Sequence, residues 1–256
     1  MRTLLIVISF LVLVFDAFLF ASPDKATIFN YLFNLAYAVI FLLGMYIAFV
    51  RSNRFVDTPN LHKSMRFFGA GLFFFATGLI IWTFYNLVLK VEIPYPSLSD
   101  IAFLLYYPGA ILGIYFLIKS FGGEITKNMA VEGILIFFTF FALIYIFLNQ
   151  TSLGPDVAFW ARFLNVLYPL ADSLLISFAI TILRTERGIA GQPYILYFVF
   201  GFLILAIADT IFSYRSAMGV YWNGDISDLL FAASGFLTSL GLLSLPNISL
   251  TNHTIS

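Results

Sequence analysis

The chain has 256 residues, 61% of them hydrophobic and only 10% charged, with 13 basic and 13 acidic side chains. An apolar share so far above the ~45–50% of soluble domains makes lipid the expected solvent for most of the chain. Zero net charge with no long basic run sets nucleic acid aside as a partner, and the absence of cysteine removes disulfides, thiol nucleophiles and thiolate metal sites.

Apolar windows of roughly 20 residues predict an all-α integral membrane fold of eight transmembrane helices, at about 3–22, 28–50, 65–89, 98–119, 128–149, 157–183, 193–215 and 226–245. The first two form an N-terminal pair over 1–50. Arg2, a long apolar run and the small residues Ala21 and Ser22 also fit a signal peptide. The run is long for a signal core, so a retained helix is expected, with Asp16 an unusual charge inside it.

Residues 51–66, RSNRFVDTPNLHKSMR, read as the longest polar connection, a solvated loop carrying His62 that offers a docking place for a partner or anionic headgroups. A bundle over 65–246 and a short uncharged tail, 247–256, complete the chain. Arg2, Arg51, Arg54, Lys63, Arg66, Lys119, Lys127, Arg184 and Arg187 flank one side of the predicted helices, and Lys25, Lys90, Arg162 and Arg215 the other. The positive-inside rule then places both termini in the cytoplasm of a cell-membrane protein. Neither His62 nor His253 lies in an apolar segment and no lysine follows Lys127, so no haem, Schiff-base chromophore, metal or other cofactor is expected.

Residues 94–117, PYPSLSDIAFLLYYPGAILGIYFL, carry the clearest local signals. Pro94 and Pro96 stop the preceding segment, and Ser97 with Asp100 has the spacing of a capping box that opens a helix near Leu98. Pro108 then falls ~15 Å into the bilayer, where it bends the helix. Shifted by 128 residues, the stretch matches itself at Ser99/Ser227, Asp100/Asp228, Phe103/Phe231, Leu112/Leu240, Gly113/Gly241 and Leu117/Leu245. A shift of 61 superposes Tyr107-Pro108 on Tyr168-Pro169. The pattern predicts three repeated helical hairpins, helices 3–4, 5–6 and 7–8, behind the N-terminal pair.

The strings PSLSDIAFLLYYPGAILG, LYPLADSLLISFAI and ADTIFSYRSAMGVYWNGDISDLLFAASGFLTSLGLL resemble the membrane input region of bacterial GGDEF/EAL signalling proteins, which make or degrade cyclic di-GMP. The resemblance covers about 65–245 and implies a sensory or scaffolding membrane module. No GGDEF or EAL sequence follows the eighth helix here. Neither enzymatic activity is carried over, and signalling through a separate cytoplasmic protein is expected.

Ionisable groups in hydrocarbon cost ~2.5–3.5 kcal/mol on insertion scales and normally face the bundle interior. Asp172 and Asp209 are the clearest cases. Arg162, Asn165, Pro169 and Asp172 or Ser173 follow three- or four-residue steps, one stripe of a helix. With Tyr168, Tyr214, Arg215, Trp82, Tyr85 and Asn86 they form a candidate cavity open to the outside, or a set of interhelical hydrogen bonds that fixes the bundle. Asp100 and Asp228 stand at helix starts and read as caps, Pro108 and Pro169 as kinks.

Three functions are carried forward: a stand-alone sensory or ligand-binding membrane module, a small-solute or proton-coupled transporter, and a lipid-modifying enzyme that uses Asp172 and Asp209 as an acid/base pair. The first is the leading expectation.

Overall fold

The computed structural model describes residues 1–149, 151, 157–183 and 192–246. Arg184, Arg187 and the 247–256 tail lie outside the described residues. Among the described residues the protein is all-α, with eight helices long and apolar enough to cross a membrane. They are α1 (Arg2–Ala21), α2 (Ile28–Ser52), α3 (Pro59–Phe84), α4 (Leu98–Ser120), α5 (Lys127–Leu148), α6 (Phe159–Ile182), α7 (Pro193–Ala217) and α8 (Ile226–Ser244).

Helix starts follow local chemistry. Thr27 and Asn30 form a capping box on α2, as Ser97 and Asp100 do on α4. Asp225 caps α8 by accepting the Ser227 N–H at 2.8 Å. Proline occupies the first position of α3 and α7, where its missing N–H costs nothing.

One predicted boundary is corrected. The stretch expected as a loop over 51–66 is mostly helical: α2 runs to Ser52, a 3₁₀ turn covers Asn53–Phe55, and α3 begins at Pro59. Leu61, Ser64, Met65 and Phe68 are buried at helical spacing while Lys63 and Arg66 point outward, so polar residues on one face diluted the apolar signal. His62 stands in the first turn of α3 with Nδ1 2.9 Å from the Ser52 carbonyl.

Packing joins α2 to α3, α3 to α4, α4 to α6, α6 to α7, α7 to α8 and α8 back to α2, a closed ring of six helices. α1 packs on α2 and α8, and α5 on α6 and α7, both outside the ring. The predicted N-terminal pair therefore divides, with α2 a full member of the ring. α5 buries only Met129, Gly133, Ile144 and Leu148.

The α3–α4 pair is held by a close approach of backbones. A Cβ on Gly109 would lie 2.7 Å from the Gly71 Cα and N and 2.9 Å from the Phe67 carbonyl oxygen. Ser64 Oγ reaches across to donate to the Gly113 carbonyl at 2.7 Å. Phenylalanines fill the ring axis: Phe41 stacks on Phe75 at 4.1 Å and Phe68 on Phe198 at 4.7 Å. Gly113 and Gly241, matched in the sequence echo, each make room for one ring of the second pair.

Arg51, Arg54, Lys63, Arg66 and Lys119 gather at one end of the ring, its basic end. Arg51 is half-buried and donates to the Leu243 carbonyl at 3.0 Å and the Leu245 carbonyl at 2.6 Å, closing the C-terminus of α8 with a cation. Arg51→Gln is expected to lower stability in detergent by about 1 kcal/mol, read as a fall in melting temperature that Arg54→Gln on the exposed 3₁₀ turn does not share.

Candidate functional site

The end opposite the basic one holds a partly open cavity of about 50 Å³. All six ring helices line it: α2 with Asn34 and Tyr37, α3 with Phe75, Leu79 and Trp82, α4 with Asp100, Phe103 and Tyr107, α6 with Tyr168, α7 with Asp209, Phe212 and Ser213, and α8 with Asp228 and Phe231. Tyr95 and Tyr221 reach in from the α3–α4 and α7–α8 connections.

The 221–225 turn closes one side and is held by a set of specific bonds. Asn223 Oδ1 accepts from Asn34 Nδ2 at 2.8 Å and from Trp82 Nε1 at 2.9 Å, and its carbonyl accepts from Asn30. Arg215 Nε pairs with Asp225 at 2.5 Å, and Arg215 Nη2 donates to the Val220 carbonyl. Asp228, 2% exposed, accepts the Gly224 N–H at 2.6 Å, the Tyr221 hydroxyl at 3.0 Å and the Tyr37 hydroxyl at 3.3 Å. Burial and the neighbouring Asp228 push the Tyr221 hydroxyl well above its ordinary value, so it remains a donor.

On the other side Asp100 closes the Ser97 capping box, accepting the Ser97 N–H at 2.7 Å, and its second oxygen accepts the Tyr168 hydroxyl at 3.0 Å. Tyr95 turns its hydroxyl inward to Asn165 Oδ1 at 2.6 Å. Tyr95→Phe is expected to lower stability by only about 0.6 kcal/mol and to leave assembly intact by size-exclusion chromatography, because the Tyr95 ring still lines the wall.

At the base, Tyr107 joins three helices. Its hydroxyl lies 2.8 Å from Asp172 Oδ1 on α6 and 3.1 Å from Asp209 Oδ2 on α7. A phenol has one proton, so it serves one carboxylate at a time. Asp209 faces the cavity, whereas Asp172 sits behind Tyr107, 2% exposed and off the lining.

The predicted site residues separate accordingly. Asp209, Tyr168 and Trp82 line the cavity; Asp172 and Asn165 stand behind it, each reached through a tyrosine hydroxyl. Arg162 turns back to the start of α6, with Nη2 3.2 Å from the Val157 carbonyl, and Tyr214 packs on Phe147 at the surface. Arg215 serves the 221–225 turn from outside. Tyr85 and Asn86 are off the lining because α3 widens into a π turn over Tyr85–Leu89. This breaks the stripe Phe75, Leu79 and Trp82 that would otherwise reach Asn86. Pro108 is exposed on the outer face of α4, and Pro169 is buried in α6 with its carbonyl taken by Ser173 Oγ.

Asn34, Tyr37, Tyr95, Tyr107 and Tyr221 enter the site without having been predicted to line it. For α2 a signal was present: Asn30, Asn34 and Tyr37 are spaced four and three residues apart, a polar stripe on an apolar helix. Asp100 and Asp228 both start helices and line the cavity. No family model, curated protein or solved structure matches this chain.

Proposed function

We propose that this chain is a ligand-binding sensory membrane module. Its cavity opens on the external side, its basic end lies in the cytoplasm, and a separate cytoplasmic protein takes up the signal there. The observation that carries the reading is Tyr107, which ties the cavity carboxylate Asp209 to the buried Asp172 across α4, α6 and α7. A ligand that engages Asp209 competes with the Tyr107 hydroxyl and turns its proton to Asp172. Occupancy at the cavity thereby changes how α4 is held to α6. The resemblance of 65–245 to membrane input regions points the same way.

Packing supports binding over passage. Phe75, Phe103 and Phe231 are part of the cavity wall, and outside the lining Phe68, Phe198 and Phe202 stack face to face. A solute crossing the ring would have to part these rings. A carboxylate pair for acid/base chemistry is close enough through Tyr107, yet only Asp209 has access to a bound molecule.

The test is a thermal-shift screen of purified protein in nanodiscs against small molecules of varied charge, followed by hydrogen exchange with any stabilising compound. Binding to the folded state adds about 2.7 kcal/mol at a concentration roughly 100 times Kd. Exchange at the basic end, in the 53–58 and 121–126 connections, is expected to change in the wild type. In Tyr107→Phe the compound still binds and that distant response is lost. If no compound shifts the protein, or if binding leaves the basic end unchanged in the wild type, the reading fails.

A further inference from the structure

Resting on the ligand-binding reading above, we infer that the cavity takes an organic cation, an ammonium group carried on an apolar body, bound by the Asp209 carboxylate inside an aromatic box. Three features of the wall lead there.

The first is charge. The lining contains Asp100, Asp209 and Asp228 and no lysine, arginine or histidine. Of the basic groups at this end, Arg215 pairs with Asp225, Arg162 reaches the Val157 carbonyl, Lys25 donates to the Leu19 and Phe20 carbonyls with its ammonium 4.4 Å from the Trp222 ring centroid, and Lys90 is exposed and off the lining. Carboxylates gathered in a poorly solvated space repel one another, and a bound positive charge relieves that repulsion.

The second is the count of donors. Tyr37 and Tyr221 give their hydroxyl protons to Asp228, Tyr168 to Asp100, Tyr107 to Asp172 or Asp209, Tyr95 to Asn165, and Trp82 its indole N–H to Asn223. The wall's aromatic donors are thus already committed. Oxygen lone pairs are left over: a carboxylate has about four acceptor sites, and Asp209 takes the Tyr107 hydroxyl at one oxygen, Oδ2. A ligand that brings acceptors, such as a carboxylate or phosphate, finds no matching donor in these rings. One that brings N–H donors and positive charge finds carboxylate oxygens.

The third is ring geometry. Trp82 meets Phe212 at 72° and Tyr221 at 83°, Phe212 meets Tyr221 at 79°, and Tyr107 meets Tyr168 at 61°. Faces set at steep angles around one space form the box that recognises ammonium groups by cation–π attraction. Phe75, Phe103 and Phe231 supply apolar wall for the remainder of the molecule.

The ammonium group can come from a free solute or from a lipid headgroup, and the test separates them. Protein in dodecyl maltoside is titrated with phenethylammonium and with choline, following tryptophan fluorescence. Trp82→Phe assigns the response to the cavity, and 3-phenylpropan-1-ol and 3-phenylpropionate serve as neutral and anionic counterparts. Expected are saturable quenching by one or both cations and none by the counterparts. Affinity should fall about tenfold or more in Asp209→Asn, as for loss of a charged hydrogen-bond partner, and stay unchanged in Glu92→Gln, an exposed acid at the same end. Monodisperse elution of each variant establishes that it is folded. Phosphatidylethanolamine nanodiscs that block the soluble cation, where phosphatidylglycerol nanodiscs do not, identify the headgroup as the source; equal binding in both identifies a free solute. If the cations fail and an anion or neutral compound binds with the same dependence on Trp82, the cation inference is overturned and the binding reading stands. If no class binds, both fall.

Discussion

Gly109→Ala is expected to lower the melting temperature of the detergent-solubilised protein more than loss of any single hydrogen bond in the cavity. The added methyl would stand 2.7 Å from backbone atoms of Gly71 and 2.9 Å from the Phe67 carbonyl oxygen. Backbone cannot turn aside as a side chain does, so α3 and α4 must separate. Overpacking of this kind costs typically ~1–3 kcal/mol. The consequence reaches the site, because Gly109 lies two residues from Tyr107, whose hydroxyl spans 2.8 and 3.1 Å to its two carboxylates. Gly113→Ala makes an informative comparison. Its Cβ would meet the Phe68 ring at 2.7 Å, but a side chain, even one stacked on Phe198, can shift by tenths of an ångström more readily than the Gly71 backbone can. A smaller loss is expected there, measured by circular dichroism on heating. Equal losses would show that the Gly71–Gly109 backbone contact is not what sets the α3–α4 distance.

The fold was legible in the sequence to the extent that single helices are. Each apolar run is long enough to span hydrocarbon, and caps such as Ser97 with Asp100 mark their own ends through bonds within four residues. Contacts between helices carry no such local mark. Helical spacing on α6 placed Asp172 and Tyr168 near one face, but which of them meets the cavity depends on Tyr107 of α4 standing in between. Nothing near Asn34 or Tyr37 says that α2 closes the ring against α8. The π turn at Tyr85–Leu89 rotated Tyr85 and Asn86 away from a stripe that regular spacing predicts for them.

Asp100 and Asp228 show the limit most directly. A carboxylate in the first turn of a helix is fully accounted for by capping and the helix dipole, so the sequence left no unexplained charge to ask about. In the fold both side chains have a cap on one side and the cavity on the other. Phe103 and Phe231, a second matched pair, also face that space, so two of the six pairs matched in the sequence meet around one cavity.

Asp228→Ala is the substitution at the site with the largest expected effect. The carboxylate is 2% exposed and takes the Gly224 N–H at 2.6 Å together with the Tyr221 and Tyr37 hydroxyls. Removing it strands three donors at once. Each buried donor left unmade costs ~1–3 kcal/mol, although the two hydroxyls border the cavity and can turn to water, which leaves the buried Gly224 N–H as the full loss. A destabilisation of about 2–4 kcal/mol follows from those magnitudes. Asp228→Asn keeps one acceptor oxygen and should retain part of the difference. The 221–225 turn also loses its tie to α2 through Tyr37, so Trp222 and Trp82 move into a wetter setting. The measurement is thermal unfolding of wild type, Asp228→Asn and Asp228→Ala in one detergent, with tryptophan emission recorded before heating. Stability should fall in that order, and emission should shift to longer wavelength in Asp228→Ala. Stability and emission unchanged in Asp228→Ala would mean that the 221–225 turn is held by Asn34, Trp82 and Arg215 without help from Asp228.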